Sequence, residues 1–386
     1  MSVQSGTFNS PQHGVSSPRV LQWLGLLVML YLLLVSVSMI GSGFKWAVGE
    51  QAKELFAFAS NPVAGLMIGI VGTALIQSSS TVTAIIVGLV AGGLPVGTAI
   101  PMVMGANIGT TVTNTLVSLG HARCKEEFRR AFSCATVHDF FNLLAVFIFL
   151  PLEMMTGLLA KLSGWLVSPL LQTNDLSMKS FNFIKPLTQP AVNSVKSLFE
   201  VFPTSWGGVA LVIFGIVTVI ASITVMGKLM KTLMVGKART VLNNAIGRGP
   251  LHGITSGMLV TILVQSSSTT TSLVVPLVGS NVLSVRQVYP FTLGANIGTC
   301  ITALLAATAV VGGNAAFALQ IALVHLLFNC ISILFIFGIP VLRELPLKCA
   351  DTLGGYAAKS KWAVVAYLSM IFVVLPGLVL FISSLF

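Results

Sequence analysis

The chain has 386 residues, 55% of them hydrophobic and only 8% charged, with a mean hydropathy of +0.95. Soluble domains carry roughly 25% charged residues, so the composition excludes one and reads as an all-α polytopic membrane protein. The net charge of +11 does not mark a nucleic-acid binder. Its Lys and Arg sit in short clusters beside apolar runs, as charges that set membrane orientation do.

Residues 1–19 are rich in Ser, Gly and Pro and read as a disordered tail. Val20 to Ile40 is an apolar run of the roughly 20 residues that a span needs. It exceeds the signal-peptide core of about 7 to 15 residues, and no small-residue cleavage signal follows it. An amphipathic piece, Glu50 to Ser60, completes a first unit of residues 20–61. Pro62 to Ile76 is apolar again, the polar run Gln77-Ser78-Ser79-Ser80-Thr81 interrupts it, and Val82 to Leu94 resumes. The first half makes a helix of about 22 Å, and neither half crosses a hydrocarbon core of about 30 Å. The segment 62–94 is therefore either a discontinuous span or a re-entrant hairpin.

Gly92-Gly93-Leu94-Pro95 ends that element. Ala99 to Leu119 reads as a span carrying Gly105-Ala106-Asn107-Ile108-Gly109-Thr110, and His121 to Arg130 as a charged loop. Ala131 to Leu150, with His138, Asp139 and Asn142, is the next span and closes a first repeat of 62–151. Residues 152–206 lie outside the membrane, with an interfacial helix at Gly157 to Leu171. Gly207 to Met226 spans, and Lys228 to Arg248 is a basic loop, within 207–249.

The pattern then restarts over 250–342, with a second hairpin at 250–284. Gln265-Ser266-Ser267-Ser268-Thr269 repeats the polar run, and Phe291 to Ala307 carries Gly294-Ala295-Asn296-Ile297-Gly298-Thr299. His325 and Asn329 reproduce His138 and Asn142 at the same spacing, which places each pair on one helix face. The offsets are 188 at the Gln, 189 at the Asn and 187 at the His. Three motifs in the same order at nearly constant offset indicate an internal duplication. Residues 343–386 hold a basic loop and a last span, Val364 to Phe386.

Charge separates the two topologies. With a cytoplasmic amino end and two re-entrant hairpins, 15 of the 21 Lys and Arg fall inside; with two spanning elements, 10 do. The positive-inside rule favours hairpins, so one copy enters from outside, the other from inside, and the halves form an inverted-topology repeat whose polar tips meet near the midplane. A tip exposes the amino end of its second half-helix, which favours an anion. Its first half ends in free carbonyls that, with Gln, Asn and Thr oxygens, suit a hard cation. No Lys or Arg is expected inside the membrane, and Asp139 is the one carboxylate within a span, to hold a cation or to pair with His138 or an Arg near Arg130. A buried anion then needs co-bound cations, because an uncompensated buried charge is very costly. The five cysteines, Cys124, Cys134, Cys300, Cys330 and Cys349, lack metal-ligand spacing. A hydrolase reading of Ser, His and Asp lacks a nucleophile elbow, so no enzyme is expected.

The paired Gln-Ser-Ser-Ser runs and Gly-Ala-Asn-Ile-Gly-Thr segments, with Phe128-Arg129-Arg130-Ala131-Phe132 leading to Thr136-Val137-His138-Asp139-Phe140-Phe141-Asn142, resemble the type II sodium-dependent phosphate cotransporter family. The likeness runs over about residues 20–380. It implies sodium-driven uptake of inorganic phosphate by alternating access, in the cytoplasmic membrane of a bacterium. It implies no cofactor beyond Na⁺ as coupling ion, with phosphate, Na⁺ and the lipid bilayer as partners. On that resemblance the phosphate candidates are Gln77, Ser78, Ser79, Ser80, Ser266, Ser267 and Ser268, with Asn107 and Asn296. The sodium candidates are Gln265, Thr299 and Thr302, with Thr110 and Thr113 at the repeat-related positions. The alternatives are a sodium-coupled carrier of another oxyanion and an anion channel.

Overall fold

The computed structural model describes residues 19–48, 61–172, 184–245, 248–310 and 312–383. The tail at 1–18 and the piece from Glu50 to Ser60 lie outside the described residues. Everything regular within them is helical. In chain order the helices are α1 (Arg19–Val48), α2 (Pro62–Ile76), α3 (Ser79–Gly92), α4 (Val96–Ile108), α5 (Thr111–Ser118), α6 (Lys125–Thr156), α7 (Leu158–Gln172), α8 (Ile184–Phe199) and α9 (Thr204–Ala245). There follow α10 (Pro250–Val264), α11 (Ser267–Ser272), α12 (Val275–Gly279), α13 (Val285–Thr308), α14 (Ala315–Ser332), α15 (Pro340–Lys359), α16 (Lys361–Ser369) and α17 (Leu375–Ser383).

Six helical stretches among the described residues are long and apolar enough to cross a bilayer: Val20–Ala47, Lys125–Thr156, Trp206–Met234, Val285–Thr308, Ala315–Phe337 and Lys361–Ser383. The helix expected over Gly157 to Leu171 is α7, set off from α6 by Gly157 at φ 62°, the left-handed cap that glycine adopts without penalty.

Two expectations are corrected, and one further break appears. The span from Ala99 to Leu119 is two helices, α4 and α5, parted at Gly109 and Thr110. The Thr- and Asn-rich stretch that follows, Thr110 to Thr115, competes with the helix for backbone groups. The basic stretch after Lys228 is no loop up to Ala245, because α9 runs unbroken for 42 residues. Its Lys, Leu, Met and Ala are strong helix formers that carry the helix past the apolar run. The second half of the second broken helix is itself parted between α11 and α12, where Pro276 lacks an N–H and crowds the carbonyl of Ser272.

The duplication is visible in the packing. In the first copy α2 lies against α4, and in the second α10 lies against α13. Both contacts are backbone to backbone. A Cβ added at Gly105 would lie 2.0 Å from Leu66 O, and one at Gly294 would lie 1.9 Å from Ile254 O. The glycines of the two Gly-Ala-Asn-Ile-Gly-Thr segments therefore serve close helix contact, as small residues do in membrane proteins. Beside them sits an aromatic core in which Phe141 meets Tyr289 edge-on at 6.3 Å and Phe149 meets Phe328 at 6.2 Å.

Candidate functional site at the two broken helices

Each broken helix turns at its Gln. Gln77 at φ 59° and Gln265 at φ 55° are left-handed non-glycine residues, and each backbone N–H closes its helix onto Thr73 O or Thr261 O at 2.7 Å. The next residue reopens a helix. Ser78 caps α3 by accepting from Thr81 N at 3.2 Å, and Ser266 caps α11 by accepting from Thr269 N at 3.2 Å. A left-handed position for a side chain with a Cβ costs about 1–3 kcal/mol and persists only where its surroundings impose it. Here the same strain recurs at both copies.

The Gln side chains are held alike. Gln77 Nε2 donates to Ala74 O and Gln265 Nε2 to Ile262 O. Each Oε1 then accepts a threonine hydroxyl: Thr113 on Gln77 at 3.0 Å and Thr302 on Gln265 at 3.2 Å. Two pairs of hard oxygen donors result, one per copy, suited to a small hard cation. Thr110 and Thr299 are buried, and their hydroxyls donate within their own segments, to Asn107 O and Ala295 O. The buried hydroxyls of Thr73 and Thr261, one turn before each Gln, make no hydrogen bond in this structure.

The two tips share one cavity of about 280 Å³, lined by Gln77 and Ser78 from one copy and by Gln265, Ser266 and Thr269 from the other. Ser79, Ser80, Ser267 and Ser268 are buried behind that wall. The remaining wall is α9, which brings Lys228 and Lys231 to the cavity. No Lys or Arg is expected inside the membrane, whereas both of these lie within the apolar stretch Trp206–Met234. A second cavity of about 320 Å³, bordered by Ser38, Lys45 and Asn314, touches neither tip.

Asn107 and Asn296 do not line the shared cavity. Asn107 Nδ2 donates to Asn329 Oδ1 at 3.0 Å, and its Oδ1 lies 3.0 Å from His325 Nε2. Asn296 Nδ2 donates to Asn142 Oδ1 at 2.8 Å, and its Oδ1 lies 2.5 Å from His138 Nε2. Each asparagine thus pairs with the histidine and asparagine of the other copy, so the two networks stitch the halves together. All six side chains are buried, where an unpaired amide would carry its full desolvation cost. Asp139 pairs with neither His138 nor an Arg near Arg130: Tyr367 Oη donates to its Oδ2 at 3.0 Å, while Arg130 donates to Gly279 O and Arg129 pairs with Asp351.

Sequence reasoning missed Lys228, Lys231 and also Asn114, whose Oδ1 accepts from Thr271 and Ser272 at 2.9 and 3.1 Å. The signal for the lysines was the run of helix formers after Met226, which gives α9 no reason to stop. Nothing local marks Asn114, since its partners lie more than 150 residues away.

A family model described as Na⁺/Pi-cotransporter matches residues 32–164 and 218–344. The chain is 36% identical to sodium-dependent phosphate transport protein 2A of Rattus norvegicus, over 93% of this chain and 67% of that protein. It is 34% identical to protein 2B of Bos taurus, over 91% and 63%, and 32% identical to protein 2B of Homo sapiens, over 91% and 64%. No solved structure matches it significantly.

Proposed function

The chain belongs to the Na⁺/Pi-cotransporter family, and from that membership we propose how its two tips couple the ions. It is a multi-pass membrane protein that takes up phosphate with sodium as coupling ion, and it is not an enzyme. The reading of the site rests on one observation: Gln77, Ser78, Gln265 and Ser266 line a single cavity.

In this proposal the broken helices are re-entrant hairpins that enter from opposite sides, and the halves form an inverted repeat working by alternating access, in a bacterial cytoplasmic membrane. Phosphate sits between Ser78 and Ser266, within reach of the amino end of α3 and the hydroxyls of the two caps. The Ser79, Ser80, Ser267 and Ser268 hydroxyls complete the tips as they open. Sodium occupies the Gln265–Thr302 oxygens beside Thr299, and the repeat-related Gln77–Thr113 oxygens beside Thr110. Asn107 and Asn296 act on the site by holding the halves in register.

Coupling then follows from charge. When the cavity closes over phosphate, water can no longer screen the anion, and a buried unpaired charge is very costly. Sodium at the Gln–Thr oxygens offsets it, and phosphate offsets the sodium in turn, so each raises the other's affinity.

Radiolabelled phosphate uptake into proteoliposomes with imposed sodium gradients tests this. Accumulation against the phosphate gradient is expected with inward sodium and none in sodium-free buffer; conduction without sodium would indicate an anion channel. Ser78→Ala or Ser266→Ala is expected to raise the phosphate KM, and Thr302→Ala or Thr299→Ala to shift mainly the sodium dependence. Normal apparent affinities for both ions in all four variants would remove the site assignment.

A further inference from the structure

The shared cavity is asymmetric. Two of its walls are the duplicated tips, and the third comes from α9, the helix that precedes the second tip in the chain. That wall presents Thr224, Gly227, Lys228 and Lys231 at helical spacing on one face. Both lysines are exposed, and neither has a carboxylate partner within the described residues, where the ion pairs are His121–Glu127, Arg129–Asp351, Arg286–Glu344 and Arg343–Glu344. The cavity lining contains no acidic residue. Two free cations thus face a cleft whose far side is built of hydroxyls, amides and helix caps.

We propose that Lys228 and Lys231 form an anion-attracting mouth on one side of the phosphate site, the cytoplasmic side, where they set the affinity for internal phosphate and so its release. The inference rests on the phosphate reading above and goes beyond it by assigning a role that neither duplicated motif contains. A cleft lined by one sign of charge raises the local concentration of the opposite ion, and only the state with the cavity open to α9 feels it. The cytoplasmic face therefore binds phosphate more tightly than the repeats alone would allow. Internal phosphate then rebinds and slows uptake as the cell fills. Lysine suits this task, since its compact charge on a long flexible stem attracts the anion without the two-pronged clamp an arginine would make.

The test measures sodium-driven phosphate transport in right-side-out vesicles and in inverted vesicles from the same cells, for wild type, K228Q/K231Q and K228R/K231R. The Gln variant is expected to raise the phosphate KM by about tenfold in inverted vesicles, within the range of electrostatic focusing, and to leave the right-side-out KM within about twofold. The Arg variant restores the inverted-vesicle value. An equal change at both faces, no change at either, or a loss of transport shared by the Gln and Arg variants overturns the proposal. Anionic headgroups share the chemistry of phosphate, so wild type and the Gln variant are also compared in proteoliposomes of purely zwitterionic lipid. If their difference in phosphate affinity vanishes there, the lysines serve lipid and the proposal fails. Absence of sodium-dependent phosphate transport in wild type would instead remove the functional reading on which it stands.

Discussion

Gln77 and Gln265 combine two demands that usually exclude each other. The turn at each tip needs a left-handed backbone, which glycine adopts most cheaply, while the oxygen that meets Thr113 or Thr302 needs an amide side chain. Substitution separates the two. Gln265→Ala keeps the strain and loses the amide, whereas Gln265→Gly relieves the strain and loses the same amide. The Ala variant is expected to be less stable than the Gly variant by about 1 kcal/mol, read as a lower melting temperature in detergent, while both lose sodium sensitivity equally. Equal stability of the two would mean that the positive φ costs nothing. Asn107 poses a different question, because its amide holds His325 and Asn329 of the other copy. Asn107→Ala leaves buried polar atoms unpaired and is expected to destabilise by about 1–3 kcal/mol, with thermal unfolding as the readout. An unchanged melting temperature would show that water replaces the amide.

At the level of elements, the contact of α2 with α4 and that of α10 with α13 set where each tip points. Gly105 and Gly294 let the backbones touch, and any side chain there would overlap a carbonyl oxygen that cannot move without the helix. Gly105→Val and Gly294→Val are each expected to cost more than about 4 kcal/mol, the range of severe core overpacking, and to abolish folded protein in size-exclusion profiles. Gly97, with open space around it, is the control: Gly97→Ala is expected to be tolerated. Folded, monodisperse protein from both valine variants would show that the helices can slide apart. The two copies are not equal, however. In the first the helix breaks at Gly109, whereas the matching Gly298 lies inside the continuous α13. The break frees α5 to bring Asn114 against Thr271 and Ser272, a contact the second copy has no means to return.

For the whole molecule, the geometric claim is that two tips 188 residues apart in sequence border one space. In a background without the native cysteines, Ser78→Cys with Ser266→Cys is expected to be joined by a short bifunctional thiol reagent, giving a protein that stays linked after cleavage in the 207–249 segment. Failure to link with or without sodium and phosphate would refute the shared site. Much of this architecture is legible along the chain. Composition gives the membrane, and the apolar runs give most of the helices. The constant offset gives the duplication, and the polar runs mark the tips, because each of these is a local pattern or a comparison of local patterns. What remained hidden depends on partners far away. That Asn107 and Asn296 spend their amides on the opposite copy is fixed by contacts across more than 150 residues. The placement of Lys228 and Lys231 depends on where α9 passes. The sequence by itself determined that a duplicated polar tip exists, because five polar residues between apolar runs need partners in hydrocarbon. Only the tertiary structure decided which atoms those partners are, and that two lysines stand beside them, because packing, not pattern, chooses which distant helices share a wall.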